Sequence, residues 1–371
     1  QNDFNLDLSL ESYETLGRPI SDRYEFVYPN YSLGKSFDLN NNYFETLNLS
    51  SSGNQKTSST NVFEATQIND LIFSSKDFVN NLGINNSFKT ILKNVNTDAK
   101  NSSKLKDDPQ SEILSLFSFD SNLALVKDDE FFKNFLTPKI SLRYSPNATK
   151  NIKDESRLIN SDNIFSLNRI GFNDTIEGGS SITIGLDYEK KRKENNNSIF
   201  SSKIATIFRD EINENLPTTS TLGKKQSDFV GEINIRPNEI FKLDYDFLIN
   251  DNLDEINFHK LENNLMINNF VNKFIFYEEN NLIGKKSYYE NNFSYNFNQN
   301  NSLTFKTREN KTDNLTEFYN LIYQYKNDCL TASIRYNKEY YSSPSLKPNE
   351  ELFFNITLIP LGSTQTESIL E

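Results

Sequence analysis

Apolar and polar residues alternate along most of this chain with a period of two. Ile182, Ile184, Leu186 and Tyr188 alternate with Thr183, Gly185 and Asp187, and Phe241, Leu243, Tyr245, Phe247 and Ile249 with Lys242, Asp244 and Asp246. Tyr289, Phe293, Tyr295 and Phe297 share one parity against Glu290, Asn292, Ser294 and Asn296. Tyr319, Leu321, Tyr323 and Tyr325 follow, then Leu330, Ala332, Ile334 and Tyr336, and Leu352, Phe354, Ile356 and Leu358 close the series. Alternation sustained over roughly 9–12 residues is what a tilted strand needs to cross a hydrocarbon core.

Short Asn- and Pro-rich connectors separate these segments: Arg236–Glu239, Asn263–Asn264, Asn298–Asn301 and Lys326–Asp328. The first third is less regular. Residues 88–95 (Phe-Lys-Thr-Ile-Leu-Lys-Asn-Val) have helical spacing and good helix formers, which predicts a short helix there. The count is about seventeen strands, in meander order. The fold class expected is all-β: a large antiparallel transmembrane β-barrel, here partial. Residues 1–135 form its irregular N-terminal part, and residues 136–371 the C-terminal strands that end in the closing strand. A soluble sandwich or solenoid is the alternative, but sandwich strands run about 5–6 residues and these are nearly twice that.

Counting hairpins back from a periplasmic C-terminus places Ser342–Glu350, Asn310–Asn314, Glu279–Lys285, Asp210–Ser227 and Ser145–Gly178 outside. The short turns at 326–328, 298–301 and 263–264 fall inside. Long loops outside and short turns inside is the arrangement of outer-membrane barrels.

Composition fits without deciding. The net charge is -12, there are 30 Phe and 18 Tyr, and no apolar run reaches 18 residues, so no helix spans a membrane. Alternating strands look polar on average, so low hydropathy does not oppose a barrel. The acidic balance argues against a nucleic-acid partner. Gln1 begins in mid-alternation with no initiator Met or signal peptide, and the chain reads as a fragment whose N-terminal part is missing, the alternative being a processed N-terminus.

Few residues carry chemistry. His259 is the only histidine and sits on the polar parity of its strand, which predicts a lumen-facing polar residue; a barrel hydrolase built on it is the remote alternative. No phosphate loop, zinc spacing or dinucleotide fingerprint appears, so neither a cofactor nor a metal site is expected. Cys329, the only cysteine, falls at the periplasmic rim, where disulfides persist. It is either bonded to something outside this chain or a small residue starting a strand. Arg169 with Asp174 or Glu177 is either a structural ion pair or a contact for an anionic ligand.

The stretch Asn163–Leu186, with its Asn168-Arg169 pair followed by Gly171, Asp174 and Glu177 before an alternating strand, resembles the LptD (OstA) family of lipopolysaccharide-assembly outer-membrane proteins. Leu136-Thr-Pro-Lys-Ile-Ser-Leu-Arg-Tyr-Ser-Pro146, Ser227-Asp228-Phe-Val, the Tyr323-x-Tyr…Cys329 segment and Phe354-Asn-Ile-x-Leu358 fall in family order. The likeness is strong over about residues 113–362 and looser before them, and it rests on motif order. Family members commonly carry an adjacent cysteine pair, whereas this chain has Asp328-Cys329.

The resemblance implies an outer-membrane translocon of a Gram-negative cell, not an enzyme, that inserts lipopolysaccharide into the outer leaflet and releases it at the seam of first and last strands. A passive porin or transporter barrel is the alternative. It further implies that Cys329 bonds the missing N-terminal jelly-roll domain and that Leu352, Phe354, Ile356 and Leu358 form the gate and closing strand. Implied partners are lipopolysaccharide, a plug lipoprotein of the LptE type, a periplasmic bridge protein of the LptA type and the barrel-assembly machinery. Divalent cations would enter only with bound lipopolysaccharide, whose phosphates they bridge alongside the acidic surplus.

Overall fold

The computed structural model describes residues 4–39, 41, 43–280, 284–340, 348–358 and 362–365. They form one antiparallel sheet of 21 strands. The first nine are β1 (Phe4–Glu14), β2 (Tyr24–Asp38), β3 (Phe44–Ser58), β4 (Phe63–Ser75), β5 (Phe78–Val79), β6 (Asn85–Lys100), β7 (Gln110–Asn122), β8 (Leu125–Asp128) and β9 (Phe132–Ser145). Next come β10 (Gly179–Arg192), β11 (Ser198–Arg209), β12 (Phe229–Ile235), β13 (Phe241–Ile249), β14 (Ile256–Ile267) and β15 (Phe270–Glu279). Last are β16 (Ser287–Asn296), β17 (Asn301–Asn310), β18 (Leu315–Lys326), β19 (Leu330–Glu339), β20 (Asn349–Leu358) and β21 (Gly362–Gln365). Each long strand pairs with the next. The short β5 and β8 lie beside β6 and β9, so that β4 pairs with β6 and β7 with β9.

The wall is a transmembrane β-barrel wall, and its two faces are distinct. On β9, Ile140, Leu142 and Tyr144 are 46, 44 and 52% exposed, while Ser141, Arg143 and Ser145 are 1, 5 and 2% exposed. The register carries this split across the wall: Leu142 lies opposite Ile182, and Ile182 opposite Phe208, all outward. On the inward face Lys139 pairs with Asp187, Lys203 with Glu232 at 3.0 Å, Arg236 with Asp244 at 2.8 Å and Lys273 with Glu262 at 2.7 Å. Apolar side chains facing out and charges facing in is the arrangement of a membrane barrel with a wet lumen. Tyr295, Phe297 and Tyr323 stand exposed at the short-turn end, as an interfacial girdle requires.

Three expectations change. The helix over 88–95 is strand β6, paired with β4 on one side and β7 on the other. Its apolar residues lie on both faces, because inward Ile91 and Val95 are buried beneath a loop while Leu92 faces out, and this blurs the period of two. The sheet has 21 strands rather than about seventeen, and β5, β8 and β21 span only two to four residues each. The turn expected at Asn263–Asn264 lies five residues later: Asn263 and Asn264 stay in register with Phe274 and Lys273, and Asn268, at φ 50°, makes the turn. Of the external segment 342–350, residues 342–347 lie outside the described residues.

The division at residue 135/136 falls inside β9. Among the described residues the far edge of β1 has no ladder partner, while β20 pairs with β19 along its length and with β21 over Asn355–Leu358.

Candidate functional site: a loop locked to the inner wall

The long connection between β9 and β10, residues 146–178, folds back over the inward face instead of standing away from the barrel. Its Ile152, Ile159, Ile164 and Ile170 are buried against Ala205, Ile207, Val230, Leu248 and Phe258 of β11 to β14, with Leu216 and Leu222 from the β11–β12 loop. Ile176 and Leu167 cover Ile91, Val95, Leu114 and Leu116 of β6 and β7. Burying a side chain such as Ile164 contributes about 1.5–3 kcal/mol, so this is a packed plug. The sequence makes room for it: a Cβ on Gly185 would come within 2.7 Å of the Phe165 ring. We expect Gly185→Val to displace Phe165 and cost about 1–3 kcal/mol of loop docking, visible as faster hydrogen exchange confined to 146–178.

At the centre of the packed loop sits Arg169, fully buried. Its Nε donates to Glu177 Oε2 at 2.6 Å and its Nη2 to Glu177 Oε1 at 2.5 Å, a two-pronged pair. Nη1 donates to Thr183 Oγ1 and Nη2 also to Ser181 Oγ, both at 2.8 Å on β10. Two wall arginines reach the same loop. Arg209 Nη2 donates to Glu177 Oε1 at 2.6 Å, and Arg143 donates to the carbonyls of Ser166 and Leu167 at 2.6 and 2.5 Å.

Each residue of the sequence motif has a place here. Asn168 Oδ1 accepts the Gly171 amide and its Nδ2 donates to Phe172 O, closing a tight turn. Gly171 has φ 78°, and a Cβ there would meet the Arg157 guanidinium, which itself holds Arg169 O. Between the two candidate carboxylates the structure selects Glu177 for Arg169; Asp174 pairs with Lys150 instead. Arg143 and Arg209, absent from the sequence-level candidates, complete the cluster. Their signal was a basic residue on the inward parity near the loop end of a strand.

Burial alone would raise the Glu177 carboxyl, but Arg169, then Arg143 and Arg209, hold it at about 2. The folded value lies below the ordinary 4.5, so this stabilisation is fully present above pH 4.5 and is lost as pH falls through 2. Hydrogen exchange within 146–178, corrected for the intrinsic pH dependence of exchange, is therefore expected to rise only below pH 4.5, and a Glu177→Gln variant is expected to lose that added pH dependence.

The other sequence candidates stand elsewhere. His259 does not face the lumen. It points outward between the rings of Tyr245 and Phe276, with Nε2 2.6 Å from Glu278 Oε2. Its neighbour Phe258 is the inward residue, buried under the plug, which inverts the parity read from sequence. Along the row Glu278 lies between His259 and Ser287, so the histidine is not placed to activate that hydroxyl. Cys329 is exposed at the β18–β19 turn, with Asn327 Oδ1 accepting its amide at 3.0 Å. Leu352, Phe354, Ile356 and Leu358 share the outward parity of β20 and lie opposite Tyr336, Ile334, Ala332 and Leu330. The plug and the closing strand are thus separate features, and nothing brings Cys329 or His259 to the Arg169 cluster.

An outward apolar face, a charged lumen and a loop packed against the inner wall define an outer-membrane barrel with an inward-folded loop. The family described as LPS transport system D, LptD, matches residues 1–275, and this chain belongs to it. The protein is therefore a barrel of the lipopolysaccharide transport system in the outer membrane of a Gram-negative cell. The match includes the Arg169 loop and stops short of Cys329 and β20. Among solved structures, the siderophore receptor PirA from Acinetobacter baumannii aligns over 96% of this chain and 69% of its own, at 9% identity and a TM-score of 0.46. No curated protein matches the chain.

Proposed function

We propose that this barrel inserts lipopolysaccharide into the outer leaflet, passing the sugars through its charged lumen and releasing the lipid at a seam bounded by β20. The observation that carries this reading is the family match, which spans the wall and the loop 146–178 packed on its inner face. A seam is a workable exit because each backbone ladder bond contributes only about 0.5–1.5 kcal/mol net, so few need break. In this reading Leu352, Phe354, Ile356 and Leu358 form the lipid side of the gate, with β21 covering the Asn355–Leu358 half until release. A plug lipoprotein would enter from the short-turn end, a periplasmic bridge protein would deliver the substrate, and the assembly machinery would read β20 during insertion.

Depletion of the protein with surface labelling of newly made lipopolysaccharide tests the reading. Loss of surface label with accumulation at the inner membrane is expected; unchanged label with altered small-solute uptake would move the barrel to the porin class. Cys329 is exposed at the β18–β19 turn, and in this reading that turn is periplasmic and the thiol would bond a partner domain N-terminal to the barrel. Cys329→Ser is expected to abolish a reduction-sensitive mobility shift on denaturing gels, and an unaltered shift would reject the assignment.

A further inference from the structure

Residues facing each other across the ladders form rows around the inner wall. One row near the loop end reads Lys89, Ser118, Arg143, Ser181, Arg209 across β6, β7, β9, β10 and β11. A basic side chain thus occurs on every second strand, about 10 Å from the next, with a hydroxyl between. Polar oxygens of residues 146–178 meet both arginines. Arg143 meets the carbonyls of Ser166 and Leu167, and Arg209 meets the carboxylate of Glu177 and the carbonyl of Gly178.

The match is incomplete. Among the described residues, Nε of Arg143 and Nε of Arg209 are buried without an acceptor. Three buried guanidiniums, Arg143, Arg169 and Arg209, face one buried carboxylate, Glu177; Asp120 is half-buried and Asp210 exposed. Arginine stays charged, and buried charge without a partner is costly, so a row kept only to hold a loop would be better built from neutral donors. Guanidiniums with hydroxyls between them match phosphate oxygens well.

We infer that the Lys89–Arg143–Arg209 row is a phosphate-binding track on the lumen wall, and that residues 146–178 are its built-in competitor, occupying the track with Glu177 and three carbonyls until a phosphorylated substrate displaces them. This rests on the transport reading for its natural ligand, the phosphorylated sugars of lipopolysaccharide, but the chemistry requires only phosphate groups. When the loop lifts, Arg169 leaves with it and the wall row stays.

The test uses the full-length protein in detergent, titrated by calorimetry with tripolyphosphate and with deacylated lipopolysaccharide before and after removal of its phosphates. Wild type is expected to bind the phosphorylated probes weakly and Glu177→Gln about tenfold more tightly, because the competing carboxylate is gone. Arg143→Gln/Arg209→Gln is expected to lose that binding; if it does not insert, Lys89→Gln, at the accessible end of the row, reads the same loss at smaller amplitude. Independently of any variant, tripolyphosphate should speed trypsin cleavage of wild type at Lys150, Lys153 or Arg157. Absence of tripolyphosphate binding in both wild type and Glu177→Gln would overturn the track. So would deacylated lipopolysaccharide binding equally well without its phosphates, which would leave the transport reading standing. Arginine-dependent tripolyphosphate binding with no affinity for deacylated lipopolysaccharide would keep the track and remove the transport reading.

Discussion

Replacing Arg169 with Met is expected to undock residues 146–178 and leave the barrel strands in place. Removing one partner of a buried ion pair costs about 3–5 kcal/mol, because the remaining charge stays buried and unmatched. Here Arg209 still reaches Glu177 at 2.6 Å, which offsets part of the loss. Thr183 and Ser181, however, lose their donor on β10, and Met brings none. An expected cost near 3 kcal/mol is comparable with burying one or two of the loop isoleucines, enough to populate an undocked loop. Hydrogen exchange should rise across 146–178 while the β9–β11 ladder stays protected, and cells should become more permeable to large antibiotics. The double variant Arg169→Met/Glu177→Leu also takes the carboxylate from Arg209, leaving Arg143 and Arg209 buried with no anionic partner among the described residues, and should undock the loop at least as far as Arg169→Met alone. Better docking in the double than in the single variant would show that Arg169 acts chiefly by neutralising Glu177 and that Arg209 does not need that carboxylate.

That cluster shows which parts of the molecule could be read from the chain. The strands of the C-terminal two-thirds were legible because one face meets lipid and the other a polar lumen, so parity and environment coincide, as in Tyr319–Tyr325 or Leu330–Tyr336. Legibility failed where the lumen face is itself apolar. Beneath the plug, Ile91, Val95, Ala205, Ile207, Val230, Leu248 and Phe258 point inward, and there the helix at 88–95 and the orientation of His259 were misread. Glu177 was among the candidates because it lies near Arg169 in sequence. Arg143 and Arg209 were not, because only the register brings them there: Arg143 and Arg209 both lie opposite Ser181, from the two sides of β10. A register is a long-range property that alternation alone does not encode, since it fixes the face of each residue but not its height on the wall.

Ile184→Arg distinguishes a membrane wall from a water-facing sheet more sharply than any spectroscopic signature. Ile184 sits midway along β10 on the outward face, 46% exposed, between Ile140 on β9 and Thr206 on β11. Were that face in water, an exposed position would accept arginine within about 0.5 kcal/mol. In a bilayer the same change is expected to cost about 2–4 kcal/mol, because a guanidinium near the midplane loses its hydration. The control is Ser333→Arg on the inward face of β19, between Gln324 and Asn355, where the wet lumen should accept the charge at little cost. Folding yields into lipid vesicles over a urea series should therefore separate the two variants by more than tenfold, with Ile184→Arg the poorer. The same series in detergent micelles, which deform around a charge more readily than a bilayer, should narrow the gap. Equal yields in vesicles would place the apolar face of β9–β11 against protein rather than lipid, and with it the orientation of every row on the inner wall, Arg143 and Arg209 included.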